Sequence, residues 1–249
     1  MIDPISLEVM WQRLVAIADE IDTAAIRTSF STIVGESHDF GCVIMDAKAA
    51  GLAPAQWSPP QFCTMLPRTT RVMLEKFPVN TLQPGDVLAT NDPWIGSTHL
   101  PDYNLVSPVL HHGNVVAFLG TVAHVSDVGG HLGDLEAPDM FTEGTRLMPN
   151  KFYSAGQVEP IIEEFIAANC RVPDMVLGDL HAIVGTHRIA AKRIQDFLDD
   201  YDLEGLQDLS DAILDRSEQA LRDAIRALPD GEVDYSITAD GYLEPFTLK

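Results

Sequence analysis

Cysteine is scarce: Cys42, Cys63 and Cys170 are the only 3 in 249 residues. They are odd in number, far apart and form no CxxC pair. That excludes a disulfide framework and a cysteine zinc site, and fits reduced thiols in the cytoplasm. Basic residues are also few, with 16 Lys and Arg against 37 Asp and Glu and a formal net charge of -21. Such a surface repels phosphate backbones and anionic headgroups, which excludes nucleic acid and membrane surfaces as partners. It leaves the acidic faces for solubility or for a basic partner subunit. No window reaches the roughly 18 apolar residues of a membrane span. The opening MIDPISLEVMWQRL lacks the basic and apolar regions of a secretory leader. Walker A, GxGxxG and GxSxG patterns are missing, so any ATP chemistry is expected on another chain.

What remains is an ordinary globular composition, 46% hydrophobic and 21% charged, in a chain long enough for a sizeable core. Asp3 can cap a helix with Pro4 at its first position, and Met10, Leu14, Ile17 and Ile21 give one apolar stripe to about Ser29. Asp39–Asp46 reads as a buried strand, Gln61–Phe77 as a helix and Asp86–Thr90 as a further strand. Leu105–Leu110 and Val115–Val122 flank His111-His112-Gly113-Asn114, a hairpin with its turn. Pro108 places the first of these strands at an edge or beside a bulge. Residues 129–157 read as one long irregular region. Helices are expected over Pro160–Asn169, Asp174–Asp199 and Asp208–Leu228, and a strand over Val233–Thr238. The fold class is therefore α+β. A mixed, sheet-containing region over residues 1–155 is followed by a mainly helical region over 156–249 that ends in a strand.

Three polar clusters stand out. In Asn91-Asp92-Pro93-Trp94-Ile95-Gly96-Ser97-Thr98-His99-Leu100-Pro101-Asp102, Pro101 argues against a helix and holds His99 and Asp102 in a rigid turn or extended segment. An imidazole and a carboxylate there suit zinc, manganese or iron. The alternative is that His99 only hydrogen-bonds and Asp102 only caps a turn. His124, at the end of the hairpin, is a third candidate ligand, followed by Asp127 and the Gly129-Gly130 pair. Glu36, His38 and Asp39 precede the first strand, and strand alternation allows only some of them to face one way. His131 and Asp134 could line a pocket. His111 and His112 are expected to be solvated turn residues. His181 and His187 lie six apart on a helix and are not a ligand pair.

These clusters, in this order, resemble the hydantoinase B family. The matching residues are Glu36 with Asp39-Phe40, Asn91-Asp92-Pro93, Thr98-His99-Leu100-Pro101-Asp102, Ala123-His124 and Asp127-Val128-Gly129-Gly130. Later matches are Glu143-Gly144, Asn150-Lys151-Phe152-Tyr153 and Gly178-Asp179-Leu180. The resemblance implies a subunit that holds a divalent metal and completes a reaction begun by a separate hydantoinase A-type subunit, which binds ATP-Mg and phosphorylates the substrate. It implies ring opening of a hydantoin, 5-oxoproline or lactam in a hetero-oligomer. Carboxylation of a ketone, as in acetone carboxylases, or a non-catalytic assembly role are the alternatives. On this resemblance His99, Asp102 and His124, with Asp39 or Glu36, match metal-ligand positions. Asp102 and Asp127 are the catalytic candidates, Asp127 orienting His124 or acting as a base. Val125 stands where relatives commonly have a second histidine, and Ser97 where they have a glycine. The Pro-Gly-Ser stretch of relatives has no clear counterpart in His131–Pro138. Family members continue beyond the length of this chain, so a portion of a larger fold is expected.

Overall fold

The computed structural model describes residues 2–96, 99–131, 137–241 and 244–248. Ser97, Thr98 and Asp134 lie outside the described residues. The elements are α1 (Pro4–Thr28), α2 (Thr32–Gly35), β1 (Phe40–Asp46), β2 (Gly51–Pro54), α3 (Pro60–Lys76), β3 (Val87–Thr90), β4 (Asp102–His111), β5 (Asn114–His124), α4 (Met140–Glu143), β6 (Asn150–Ser154), β7 (Gln157–Val158), α5 (Pro160–Asn169), α6 (Pro173–Asp200), α7 (Gln207–Arg226), β8 (Ile237–Ala239) and β9 (Phe246–Leu248).

Asp3 caps α1 by accepting from the N–H groups of Ile5 and Ser6, and the helix buries Leu7, Met10, Leu14, Ile17 and Ile21. β1–β7 form one antiparallel sheet in the order β2-β1-β5-β4-β3-β6-β7. The fold is α+β, as expected. Strand alternation sorts the central residues between two cores. Phe40, Cys42 and Ile44 of β1, Leu105 and Val109 of β4, and Leu119 and Ala123 of β5 pack with α1 and α6. Val43 and Met45, Val106, and Phe118 and Val122 pack with Phe62, Leu66 and Met73 of α3. Gly120 leaves room for Leu66 of α3, since a Cβ there would come within 3.0 Å of its side chain and 2.8 Å of the Met45 methyl of β1.

The hairpin β4–β5 is the longest pairing in the sheet. Pro108 does not make β4 an edge strand. It lies beyond the β3 ladder, which stops at Val106, and next to a register shift at Val109/Leu110, where its missing N–H costs nothing. The region 129–157 is less irregular than its composition suggests, because α4, β6 and β7 lie within it or at its end. β7 carries the sheet past residue 155 and α6 packs on β4 and β5. The two compact units accordingly divide at 213/214, with residues 1–213 forming the larger. Residues 214–249 contain the β8–β9 hairpin, whose first strand begins at Ile237 rather than Val233.

Candidate metal centre

The register of the sheet assembles the site. Asp102, the first residue of β4, pairs directly with His124, the last of β5, and Phe40 of β1 pairs with Ala123. Parity places Asp102 and His124 on the α3 face with Asn104, Val106 and Val122. Asp39, one residue before β1, shares that face, and its carbonyl accepts from the His124 N–H. Adjacent strands thus bring His124 and Asp102 together, with Asp39 beside His124 at the entry to β1.

His99 reaches the same point from the loop ahead of β4. One atom each from His99, Asp102 and His124 lies within 4.8 Å of the others. His99 Nε2 is 3.1 Å and His124 Nδ1 is 3.3 Å from the same oxygen, Asp102 Oδ1. Asp39 Oδ2 is 3.5 Å from His124 Nδ1. Asp102 is buried, its side chain 5% exposed. Its Oδ1 has no hydrogen bond in spite of the two ring nitrogens, neither of which aligns an N–H on it.

A buried carboxylate oxygen left unbonded between two imidazoles fits a divalent ion. Bonds of about 2.1 Å put adjacent ligand atoms about 3.0 Å apart in an octahedral shell and about 3.4 Å apart in a tetrahedral one. The two observed spacings fall in that range. The local field also favours a cation. Burial pushes the Asp102 carboxyl up, but the imidazoles of His124 and His99 outweigh it and hold it below the usual value. The His99 imidazole is raised by its contact with Asp102 against the opposing effect of burial, with the Asp102, Glu143 and Asp39 charges adding to the rise.

The loop that carries His99 is clamped at several points. Asn91 Nδ2 donates to the Leu100 and Thr145 carbonyls, and its Oδ1 accepts from the Leu147 N–H. Thr69 and Arg68 of α3 donate to the carbonyls of Ile95 and Trp94. Glu143 Oε2 accepts from the Leu100 N–H, and Oε1 is 3.8 Å from His99 Nδ1. Glu143 is near enough because Gly130, at φ +55°, lets α4 approach: a Cβ there would lie 2.4 Å from the carbonyls of Thr142 and Glu143. The stretches Asn91-Asp92-Pro93 and Glu143-Gly144 stand out in the sequence, but what Asn91 and Glu143 hold in place does not, since each contacts a segment 43 to 56 positions away.

The remaining candidates lie outside this cluster. Asp127 is buried and does not orient His124. Its carboxylate accepts from the Gly129 N–H and from the backbone and guanidinium N–H groups of Arg171. Glu36 is exposed at the C-terminal cap of α2, outside the triad. His38 and His131 are exposed. Lys151 pairs with Asp86 at 2.7 Å, and Asp179 accepts from the N–H groups of Phe30 and Ser31. His187 is buried between the hydroxyls of Ser107 and Thr121, each 2.8 Å away, and burial pushes its pKa down to about 3. His181 joins Tyr153 and Glu163 instead, so the two histidines are not a pair.

A family model described as hydantoinase B/oxoprolinase matches residues 3–249. The chain is 33% identical over 250 residues to a Pseudomonas sp. (strain NS671) protein provisionally named as the B component of a D-/L-hydantoinase, covering 98% of this chain and 42% of that protein. It is 25% identical over 233 residues to the beta subunit of the caprolactamase of Pseudomonas jessenii, covering 92% and 40%. It is 30% identical over 235 residues to a 5-oxoprolinase of Saccharomyces cerevisiae, covering 89% of this chain and 18% of the relative. The crystal structure of the ATP-dependent caprolactamase from Pseudomonas jessenii shares the fold with a TM-score of 0.83 at 24% identity, over 96% of this chain and 41% of that one. The chain spans less than half the length of each of these relatives.

Proposed function

Given that this chain belongs to the hydantoinase B/oxoprolinase family, we propose that it is the metal-binding part of an ATP-dependent cyclic-amide hydrolase. Its partner is a separate, hydantoinase A-type subunit that binds ATP-Mg and phosphorylates the substrate. The substrate class is a hydantoin, 5-oxoproline or lactam. The observation that carries the reading is the unbonded, buried Asp102 Oδ1 between His99 Nε2 and His124 Nδ1.

His99, Asp102 and His124 would hold zinc, manganese or iron, with Asp39 beside them. Bound there, the ion supplies Lewis acidity toward a carbonyl or phosphoryl oxygen and lowers the pKa of water. Glu143 Oε1 faces the Nδ1 side of the His99 ring at 3.8 Å, so its charge favours the ring from the side where ligating histidines ordinarily have an outer partner. Asp39 is half exposed, and it is the carboxylate placed to take a proton from the attacking water. That role replaces the one expected of Asp127, whose oxygens are occupied by Arg171 and Gly129.

The test is ring opening by the metal-loaded, full-length protein with its ATP-binding partner. ATP-dependent hydrolysis of hydantoin, 5-oxoproline or ε-caprolactam, abolished by His124→Ala, is the expected result. ATP consumption that requires bicarbonate and a ketone, with all three amides left intact, would overturn it in favour of carboxylation.

A further inference from the structure

The tip of the same hairpin carries a second group of donors. β4 ends at His111 and β5 begins at Asn114, so His112 and Gly113 form the two-residue turn, with φ of +48° and +82°. Both values are left-handed, as a type I′ turn requires. Asn-Gly is the usual occupant of such a turn, whereas here a histidine takes the first place. That conformation folds the His112 ring back over His111, with ring centroids 3.9 Å apart.

His111 is not a solvated turn residue. It is buried on the α6 side of the sheet, and its Nε2 lies 3.6 Å from Asp199 Oδ1 in the last turn of α6. His112 Nδ1 lies 3.7 Å from Glu204 Oε2 in the loop that follows. One donor atom each from His111, His112 and Asp199 falls within 4.8 Å of the others. Both imidazole–carboxylate distances are too long for hydrogen bonds, so these donors are gathered but not yet bonded to one another. Gln195 Nε2 donates to the Leu110 carbonyl and holds α6 against the hairpin beside them.

We propose that His111, His112 and Asp199, with Glu204 as a fourth donor, form a second metal site for a transition ion such as zinc, nickel or copper. Imidazoles with carboxylates select these ions over magnesium and calcium. The site is independent of the first, since Asp102 and His111 stand at opposite ends of the 10-residue strand β4, about 30 Å apart at the rise of a strand. An ion there ties the hairpin tip to the C-terminal end of α6 and stabilises the folded chain by mass action. Its donors sit farther apart than those at the hairpin base, so it binds the ion more weakly.

The experiment counts zinc equivalents in the untagged full chain by competition with a chromophoric chelator, in a His99→Ala/His124→Ala background that disables the base site. One equivalent is expected in that background, and none when His112→Ala or Asp199→Asn is added. Both residues are exposed, so these changes leave the fold intact, which circular dichroism checks. No equivalent in the background protein, or an equivalent unaffected by both added substitutions, would overturn the proposal. Neither result depends on whether the base site binds metal.

Discussion

At its base the β4–β5 hairpin holds an aspartate that is 5% exposed, and at its tip it faces an aspartate of α6 that is 62% exposed. Both ends bring two imidazoles to a carboxylate. At the base both ring nitrogens lie within 3.3 Å of one oxygen; at the tip the nearest such distance is 3.6 Å. The difference comes from the surroundings of the donors, not from their type. Asp102 and His124 are fixed by ladder register, and His99 by a loop clamped through Asn91, Glu143 and α3. At the tip, His112 and Glu204 are exposed and Asp199 is on a helix end. A site whose donors are already in place loses less freedom on binding, and so the base is expected to bind a metal ion more tightly than the tip.

Substitutions can break this comparison. Asp102→Asn has the largest expected effect on metal binding. It removes a proposed direct ligand, so base affinity is expected to fall by more than the about 10- to 100-fold lost with an outer partner. The same change also destabilises the metal-free fold, since the two imidazoles hold the buried carboxylate in its ionised form and lose that partner. Chelator competition and urea denaturation read the two effects. Asn91→Ala orphans the Leu147 N–H and two carbonyls, and costs about 3 kcal/mol of stability in urea denaturation. Glu143→Gln keeps its shape but loses the charge facing His99. It weakens metal binding at the base by about tenfold and leaves the tip unchanged, again by chelator competition.

His187 supplies a pH dependence that neither end of the hairpin needs. Its folded pKa of about 3 lies below the ordinary 6.5, so the unfolded chain takes up the proton first as pH falls. Stability from this group is complete above pH 6.5 and is lost progressively below it, by about 1.4 kcal/mol per pH unit. His187→Asn removes that dependence. The stability lost between pH 8 and pH 5.5 should shrink by about 1.4 kcal/mol relative to the unchanged chain. The smallest effect is expected for His112→Ala without metal, within about 0.5 kcal/mol, because the residue is exposed. Urea denaturation checks both.

Local pattern makes much of the fold readable. The stripe from Met10 to Ile21 and the Asp3 cap predict α1, and alternation around His111–Asn114 predicts the hairpin. The grouping of His99, Asp102 and His124 is expected from Pro101, the strand end and the family resemblance, and one atom of each lies within 4.8 Å of the others. What escapes depends on distant segments. β7 is two residues long and offers no period to detect. Glu143 joins the site only because Gly130 admits α4. Ser107, Thr121 and His187 interrupt an apolar face as a mutually satisfied group, which no single-strand pattern reveals. His111 reads as solvated because turn residues usually are, but α6 covers it.

The most direct test of the central claim is metal content by inductively coupled plasma mass spectrometry on the purified protein after dialysis, beside His99→Ala and His124→Ala variants. The account predicts about one tightly held zinc, manganese or iron per chain, lost in both variants while the fold is kept. A metal content equal in all three proteins, or no metal retained by the unchanged chain, would contradict it.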